Sequence, residues 1–294
     1  MKVVLLVLAG SAGVGFLCVV LIAVKSYLDE RADYVRTPPA DISRHPGRTE
    51  ITGLREVSFT APDGSRIGGW YVDSANRAAV VLVHGTGSDR SGVLAETRLL
   101  AKAGFGALAL DLPGQGVSGG RTYWGVPESQ AISAAIDWLS ARPEVDRNRI
   151  GGFGQSMGAY VMARAAVADK RLGAVVLESC PSDVVEQNWL GTARWGPLSQ
   201  LPTYWALRAS GQPLDMKPKD IAGAISPRPL LVIGGELDDL VPVFMSRQIY
   251  AAAREPKQLW IVKGAHHTDF AQLTLEEYSR RLVEFYSRLL SSRA

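Results

Sequence analysis

Arg149-Ile150-Gly151-Gly152-Phe153-Gly154-Gln155-Ser156-Met157-Gly158-Ala159-Tyr160-Val161-Met162 is the stretch whose reading decides the fold. A short apolar run ends in Gly154-Gln155-Ser156-Met157-Gly158, and an Ala-rich segment of helical period follows at once. The pattern predicts strand, tight turn and helix, with a serine at the apex. A serine on so sharp a turn has a strained backbone, and side chains at 154 and 158 would strike the neighbouring strand or helix; glycine removes both collisions. The Ser156 hydroxyl then projects above the sheet, and the Met157 amide points to where a substrate oxygen would lie. A bare G-x-S-x-G is a weak signal. Between a strand and a helix it becomes a strong one.

Outward from this turn, short and mostly continuous apolar runs recur at 78–83, 107–110, 150–153, 174–177, 230–233 and 259–262. Segments of helical period separate most of them, at about 92–103, 128–142, 157–168, 242–254 and 275–290. Strands buried on both faces and alternating with helices predict an α/β fold built on a mostly parallel, doubly wound sheet. Ahead of them, Glu56 to Thr60 and Ile67 to Val72 alternate around Pro62-Asp63-Gly64, which reads as an antiparallel hairpin. About 50 residues separate the strand ending near Leu177 from the one starting near Leu230, with Trp189, Trp195, Tyr204 and Trp205 among them. A connection of that length is usually functional. It is read as a partly helical cap, about 181–226, whose aromatics line an apolar pocket.

The amino-terminal end has a different character. Val3 to Val24 is 22 residues without a charge, bounded by Lys2 and Lys25. As a helix it would span roughly 33 Å, enough for a bilayer's hydrocarbon core. Its end, Leu21-Ile22-Ala23-Val24-Lys25, offers no small-residue cleavage site, so residues 1–25 are expected to form an uncleaved, single-pass transmembrane anchor. The basic residues near its ends leave the orientation poorly specified. Residues 26–53, polar and holding Pro38-Pro39 and Pro46-Gly47, read as a linker or loose collar, and 54–294 as the body. A net charge of +3, with no Lys/Arg run, gives no argument for nucleic acid. Two cysteines, Cys18 in the apolar run and Cys180, make a disulfide framework implausible, and no CxxC or His/Cys zinc spacing occurs.

A serine hydroxyl needs a base to take its proton, and that base needs a carboxylate to fix its tautomer. Both are available just past predicted strand ends, where doubly wound sheets place their ligands. Glu236-Leu237-Asp238-Asp239-Leu240-Val241-Pro242 follows one strand and Gly264-Ala265-His266-His267-Thr268-Asp269 the next. Four motifs then carry a family resemblance: His84-Gly85-Thr86-Gly87, Asp111-Leu112-Pro113-Gly114-Gln115-Gly116-Val117-Ser118, the serine turn, and Asp238-x-x-Val241-Pro242 with Gly264-Ala265-x-His267-x-Asp269. Over about 56–290 the chain resembles an α/β-hydrolase of the membrane-anchored serine esterase, or alpha/beta hydrolase domain, type.

That resemblance implies an eight-stranded, mostly parallel sheet flanked by helices, and a triad in the order Ser156, Asp238, His267. It implies hydrolysis of an acyl bond but no particular substrate. His266 is the direct rival of His267, Asp239 that of Asp238, and Glu178 or Asp183 would serve if the acid followed the preceding strand. A metal site from His266, His267 and Asp269 is the less favoured alternative. The oxyanion donors are expected to be the amides of Met157 and of Thr86, in the loop after His84-Gly85. His84 and Asp111 are expected to order loops and not to act on substrate. The full expectation is a membrane-tethered serine hydrolase cleaving an apolar ester or thioester without metal or organic cofactor. A peptidase or amidase of the same fold, or a catalytically silent tethered scaffold, is the alternative.

Overall fold

A computed structural model describes residues 38–44, 46–193 and 214–290, together with the isolated positions 18, 20, 21, 24, 25, 204 and 208. Its centre is one eight-stranded sheet in the order β1-β2-β4-β3-β5-β6-β7-β8. The strands are β1 (Arg55–Thr60), β2 (Arg66–Val72), β3 (Ala79–Val83), β4 (Gly106–Leu110), β5 (Ile150–Gln155), β6 (Ala174–Glu178), β7 (Leu230–Gly235) and β8 (Lys257–Val262). From β3 onward every neighbouring pair is parallel. The hairpin β1–β2 joins antiparallel to β4. The expected α/β-hydrolase architecture is therefore present, and each continuous apolar run became a strand.

Alternation along the strands fills two layers. Val81, Leu108 and Leu177 pack on one face with Ile132, Ile136 and Val161; Val80, Leu82 and Phe153 pack on the other with Leu100, Tyr278 and Leu282. The helices supplying those layers are α1 (Leu94–Lys102), α2 (Val126–Ser140), α3 (Met157–Ala168) and, at the end of the chain, Leu275–Leu290. Between β6 and β7 the described part of the expected cap begins with α4 (Val184–Ala193), and α5 (Val243–Ala252) follows β7. With Leu275–Leu290 as α6, helices lie on both sides of the sheet. Residues 194–203, 205–207 and 209–213, with Trp195 and Trp205, lie outside the described residues.

The collar between 38 and 53 is hydrogen-bonded to the body. Ala40 N–H donates to Asp89 Oδ2 at 2.6 Å, Arg90 Nη2 to the Ser43 carbonyl at 3.0 Å, and Arg98 Nη2 to the Thr49 carbonyl at 2.8 Å. Ser43 and Thr49 are fully buried. The buried Arg90 guanidinium needs acceptors, and this polar segment supplies one in the Ser43 carbonyl. Most of the apolar run 3–24 lies outside the described residues; among the described residues no helix is long and apolar enough to cross a membrane.

Candidate active site

Ser156 caps the start of α3 with φ 54° and ψ −119°, a left-handed backbone on a residue that has a Cβ. The strain is held from both sides. The Ser156 amide donates to the Glu178 carbonyl at 2.8 Å, and its own carbonyl accepts from Ala159 at 2.9 Å. A Cβ on Gly154 would stand 2.4 Å from the Gly158 carbonyl oxygen, and one on Gly158 would stand 2.5 Å from those of Val83 and His84. Any side chain at either position would push the helix off the strand.

Three loops meet at this turn. His267 Nε2 lies 3.0 Å from Ser156 Oγ, and His267 Nδ1 lies 2.8 Å from Asp238 Oδ2. The other carboxylate oxygen, Asp238 Oδ1, accepts from the amides of Leu240 at 3.1 Å and Val241 at 2.8 Å. Ring and carboxylate thus have fixed orientations, with the Asp238 side chain wholly buried and that of His267 partly exposed. The loops after β7 and β8 are stitched together by Leu237 N–H to the Ala265 carbonyl (2.8 Å) and Gly264 N–H to Glu236 Oε2 (2.9 Å). That stitching brings Asp238, and not its neighbour Asp239, to the histidine.

The remaining expected residues fall as follows. Met157 heads α3, whose first-turn amides have no intrahelical acceptor. The loop after β3 passes so close that a Cβ on Gly85 would lie 3.2 Å from Ser156 Cβ, and Thr86 is the next residue. His84 is buried; Leu112 N–H donates to its Nε2 at 3.2 Å, which leaves Nδ1–H to donate to the Gly85 carbonyl at 2.8 Å. Burial holds its pKa below the usual histidine value. Asp111 accepts from the amides of Arg90 (2.8 Å) and Val117 (2.9 Å), so it orders two loops. His266 is exposed, and among the described residues no His, Cys, Asp and Glu group could hold a metal ion.

Glu178 and Asp183, the two rivals after the preceding strand, are engaged elsewhere. Asp183 meets Lys217 at 2.8 Å and Lys219 at 2.9 Å, and burial is outweighed by those ammonium groups, so its pKa is lowered. Glu178 points behind the serine turn. Its Oε1 accepts from Gln155 Nε2 at 3.1 Å, and Tyr278 Oη lies 2.5 Å from its Oε2 and 3.0 Å from Glu96 Oε1. Sequence reasoning missed this buried group, since 182 positions separate Glu96 from Tyr278. The available signal was a glutamate one helical turn before Leu100 on the apolar face of α1.

The sheet order and its neighbours define the class. The esterase Pf2001 of Pyrococcus furiosus superimposes with a TM-score of 0.74 at 26% identity, covering 88% of this chain and 99% of that one. The α/β hydrolase GrgF from a Penicillium species superimposes with a TM-score of 0.67 at 22% identity, over 81% and 99% of the two chains, and so speaks for the fold. This is an α/β-hydrolase. Residues 34–220 match the model of the X-Pro dipeptidyl-peptidase (S15) family, and the chain belongs to that family. Among similar proteins, the uncharacterized protein Rv2307c of Mycobacterium tuberculosis is 34% identical over 224 residues, 73% of each chain. The uncharacterized protein YfhR of Escherichia coli K12 is 27% identical over 244 residues, 78% of this chain and 79% of its own.

Proposed function

We propose that this hydrolase cleaves a carboxylic ester or thioester through an acyl-Ser156 intermediate. One observation carries the reading: the relay Ser156 Oγ to His267 Nε2 at 3.0 Å and His267 Nδ1 to Asp238 Oδ2 at 2.8 Å. In it, Ser156 Oγ attacks the acyl carbon while its proton passes to His267 Nε2. The amides of Met157 and Thr86 stabilise the oxyanion that develops on the acyl oxygen, each such donor contributing roughly 10²–10³ in rate. Collapse expels the alkoxide or thiolate, which takes the proton from His267. Water then enters by the same route, giving up a proton to His267 as it attacks the acyl-serine; collapse breaks the Ser156 Oγ–acyl bond, Oγ takes that proton from His267, and the acid leaves. Asp238 holds Nδ1 protonated throughout.

The surroundings favour an apolar acyl group. Leu237 and Leu240, which bracket the carboxylate loop, are 52% and 56% exposed, and Phe244 follows close behind. A second reading, cleavage of peptides, is favoured by membership of the S15 family. A free peptide amino terminus would pair with carboxylates beside the site: Asp183 and Glu186 at the root of α4 are both matched by lysines, which leaves the exposed Glu236 and Asp239 beside Asp238 for that role.

The test is labelling with a fluorophosphonate probe, lost in Ser156→Ala, followed by p-nitrophenyl esters of increasing chain length set against Xaa-Pro anilides. Turnover of esters only is the expected result. Preferential turnover of the anilides would transfer the proposal to peptides, and probe labelling that survives Ser156→Ala would end it.

A further inference from the structure

Large apolar side chains are not scattered over this surface. From residue 38 onward, every described one that is exposed follows the carboxyl end of a parallel strand. Val126 comes after β4, Leu190 after β6, Leu237 and Leu240 after β7, and Leu273 and Leu275 after β8, with Trp189 and Phe244 in the same connections. At the opposite edge the described residues expose charge without large apolar side chains, with Arg77, Arg147, Lys170, Arg171 and Arg254 exposed. Scattered singly, exposed apolar side chains need no explanation; segregated onto one edge, they mark an interaction surface.

Two further observations say what covers it. The chain enters the body at this same edge, because Ala40 N–H is bound by Asp89 in the loop after β3. Upstream stands the uncharged run from Val3 to Val24, of bilayer-spanning length. The 13 residue-to-residue steps from 25 to 38 reach at most about 45 Å when extended. Fastened to the apolar edge, that tether holds this edge nearer the bilayer than the charged one. Charges of both signs share the rim, with Glu236, Asp239, Glu276, Glu277, Arg121 and Lys263 all exposed, so a zwitterionic surface suits it.

We propose that the carboxyl rim of the sheet docks on a lipid bilayer, presenting Ser156 to acyl lipids held in that bilayer. Docking rests on the surface and the point of chain entry. Only the conclusion that the substrate is a membrane acyl lipid rests on the hydrolase reading. The rim leucines would enter the boundary between headgroups and acyl chains, as interfacial apolar faces do.

The experiment uses full-length protein in phosphatidylcholine vesicles. In a Cys18→Ser background, with Cys180 buried, an environment-sensitive fluorophore is attached through Leu190→Cys, Leu273→Cys or, as control, Arg147→Cys. Doxyl-labelled phosphatidylcholine should quench the two rim probes at least about twofold and leave the control unchanged. Adding Leu275→Glu should reduce that quenching. It should also lower hydrolysis of a vesicle-embedded acyl ester about tenfold while leaving turnover of soluble p-nitrophenyl acetate intact. Equal quenching at all three positions, or none at the rim, overturns the docking. So does a blue-shifted rim probe that lipid does not quench, which would mean that protein covers the rim. Quenching does not depend on turnover, so rim quenching without fluorophosphonate labelling would sustain the docking while the hydrolase reading fell.

Discussion

Replacing Glu178 with glutamine should make this protein more stable near neutral pH, although the side chain is buried and fully engaged. Tyr278 has one phenolic proton and lies within hydrogen-bonding distance of two carboxyl groups, Glu178 at 2.5 Å and Glu96 at 3.0 Å. If both acids were ionised, one of those contacts would have no proton in it. Burial first, then the Glu96 charge, pushes Glu178 from an ordinary 4.5 to about 8, while Tyr278 and Gln155 pull the other way and Asp269 adds to the rise. Burial raises Glu96 too. The folded state therefore holds a proton that the unfolded chain has released by pH 7.

A raised carboxyl pKa gives stability that is full below the unfolded value and is lost as pH climbs through the folded one. The slope is about 1.4 kcal/mol per pH unit. Between pH 5.5 and 7.5 the wild type should lose ~2–3 kcal/mol that a neutral amide does not lose. For a domain of this size that is a divergence of roughly 5–10 °C in Tm. Thermal unfolding of both proteins across that range reads it, since titrating groups outside the Glu96–Tyr278–Glu178 group cancel in the difference. Parallel Tm curves for wild type and Glu178→Gln would refute the shared-proton reasoning.

Two other substitutions probe the serine turn and the relay. Gly158→Ala sets a methyl 2.5 Å from two backbone carbonyls that cannot swing aside; a loss of about 1–3 kcal/mol in chemical denaturation is expected, and unchanged stability would contradict the packing. Asp238→Asn keeps its oxygen for the Leu240 and Val241 amides and turns an NH₂ toward His267 Nδ1. That forces the proton onto Nε2, so ester turnover should fall about 10⁴-fold with little change in Tm; a fall of less than about tenfold would remove Asp238 from the relay.

The sheet was legible in the sequence because strands buried on both faces leave runs such as Ala79–Val83 with no polar residue, and such a run has few other folded outcomes. The positions of Ser156, Asp238 and His267 could be narrowed to strand ends for the same reason. Choosing between adjacent residues is harder. Whether 238 or 239 faces His267 depends on the turn made by Leu240 and Val241 amides around one carboxylate oxygen, and no pattern of hydrophobicity encodes that. The Glu96–Tyr278–Glu178 group stayed hidden because its members come from three elements that are neighbours only once the sheet has formed. In the collar, composition is silent on contacts: nothing in the polar residues between 38 and 53 says that the Ser43 and Thr49 carbonyls accept from Arg90 and Arg98.

Arg90 has a practical consequence. The loop running from His84 to Arg90 touches Ser156 at one end, through Gly85, and grips residues 40–43 at the other, through Asp89 and Arg90. A recombinant fragment cut at the first strand would remove an acceptor from a guanidinium that is 1% exposed and slacken the very loop that carries Thr86. Shortened versions of this protein should therefore begin no later than residue 38, or their inactivity will be mistaken for a missing substrate.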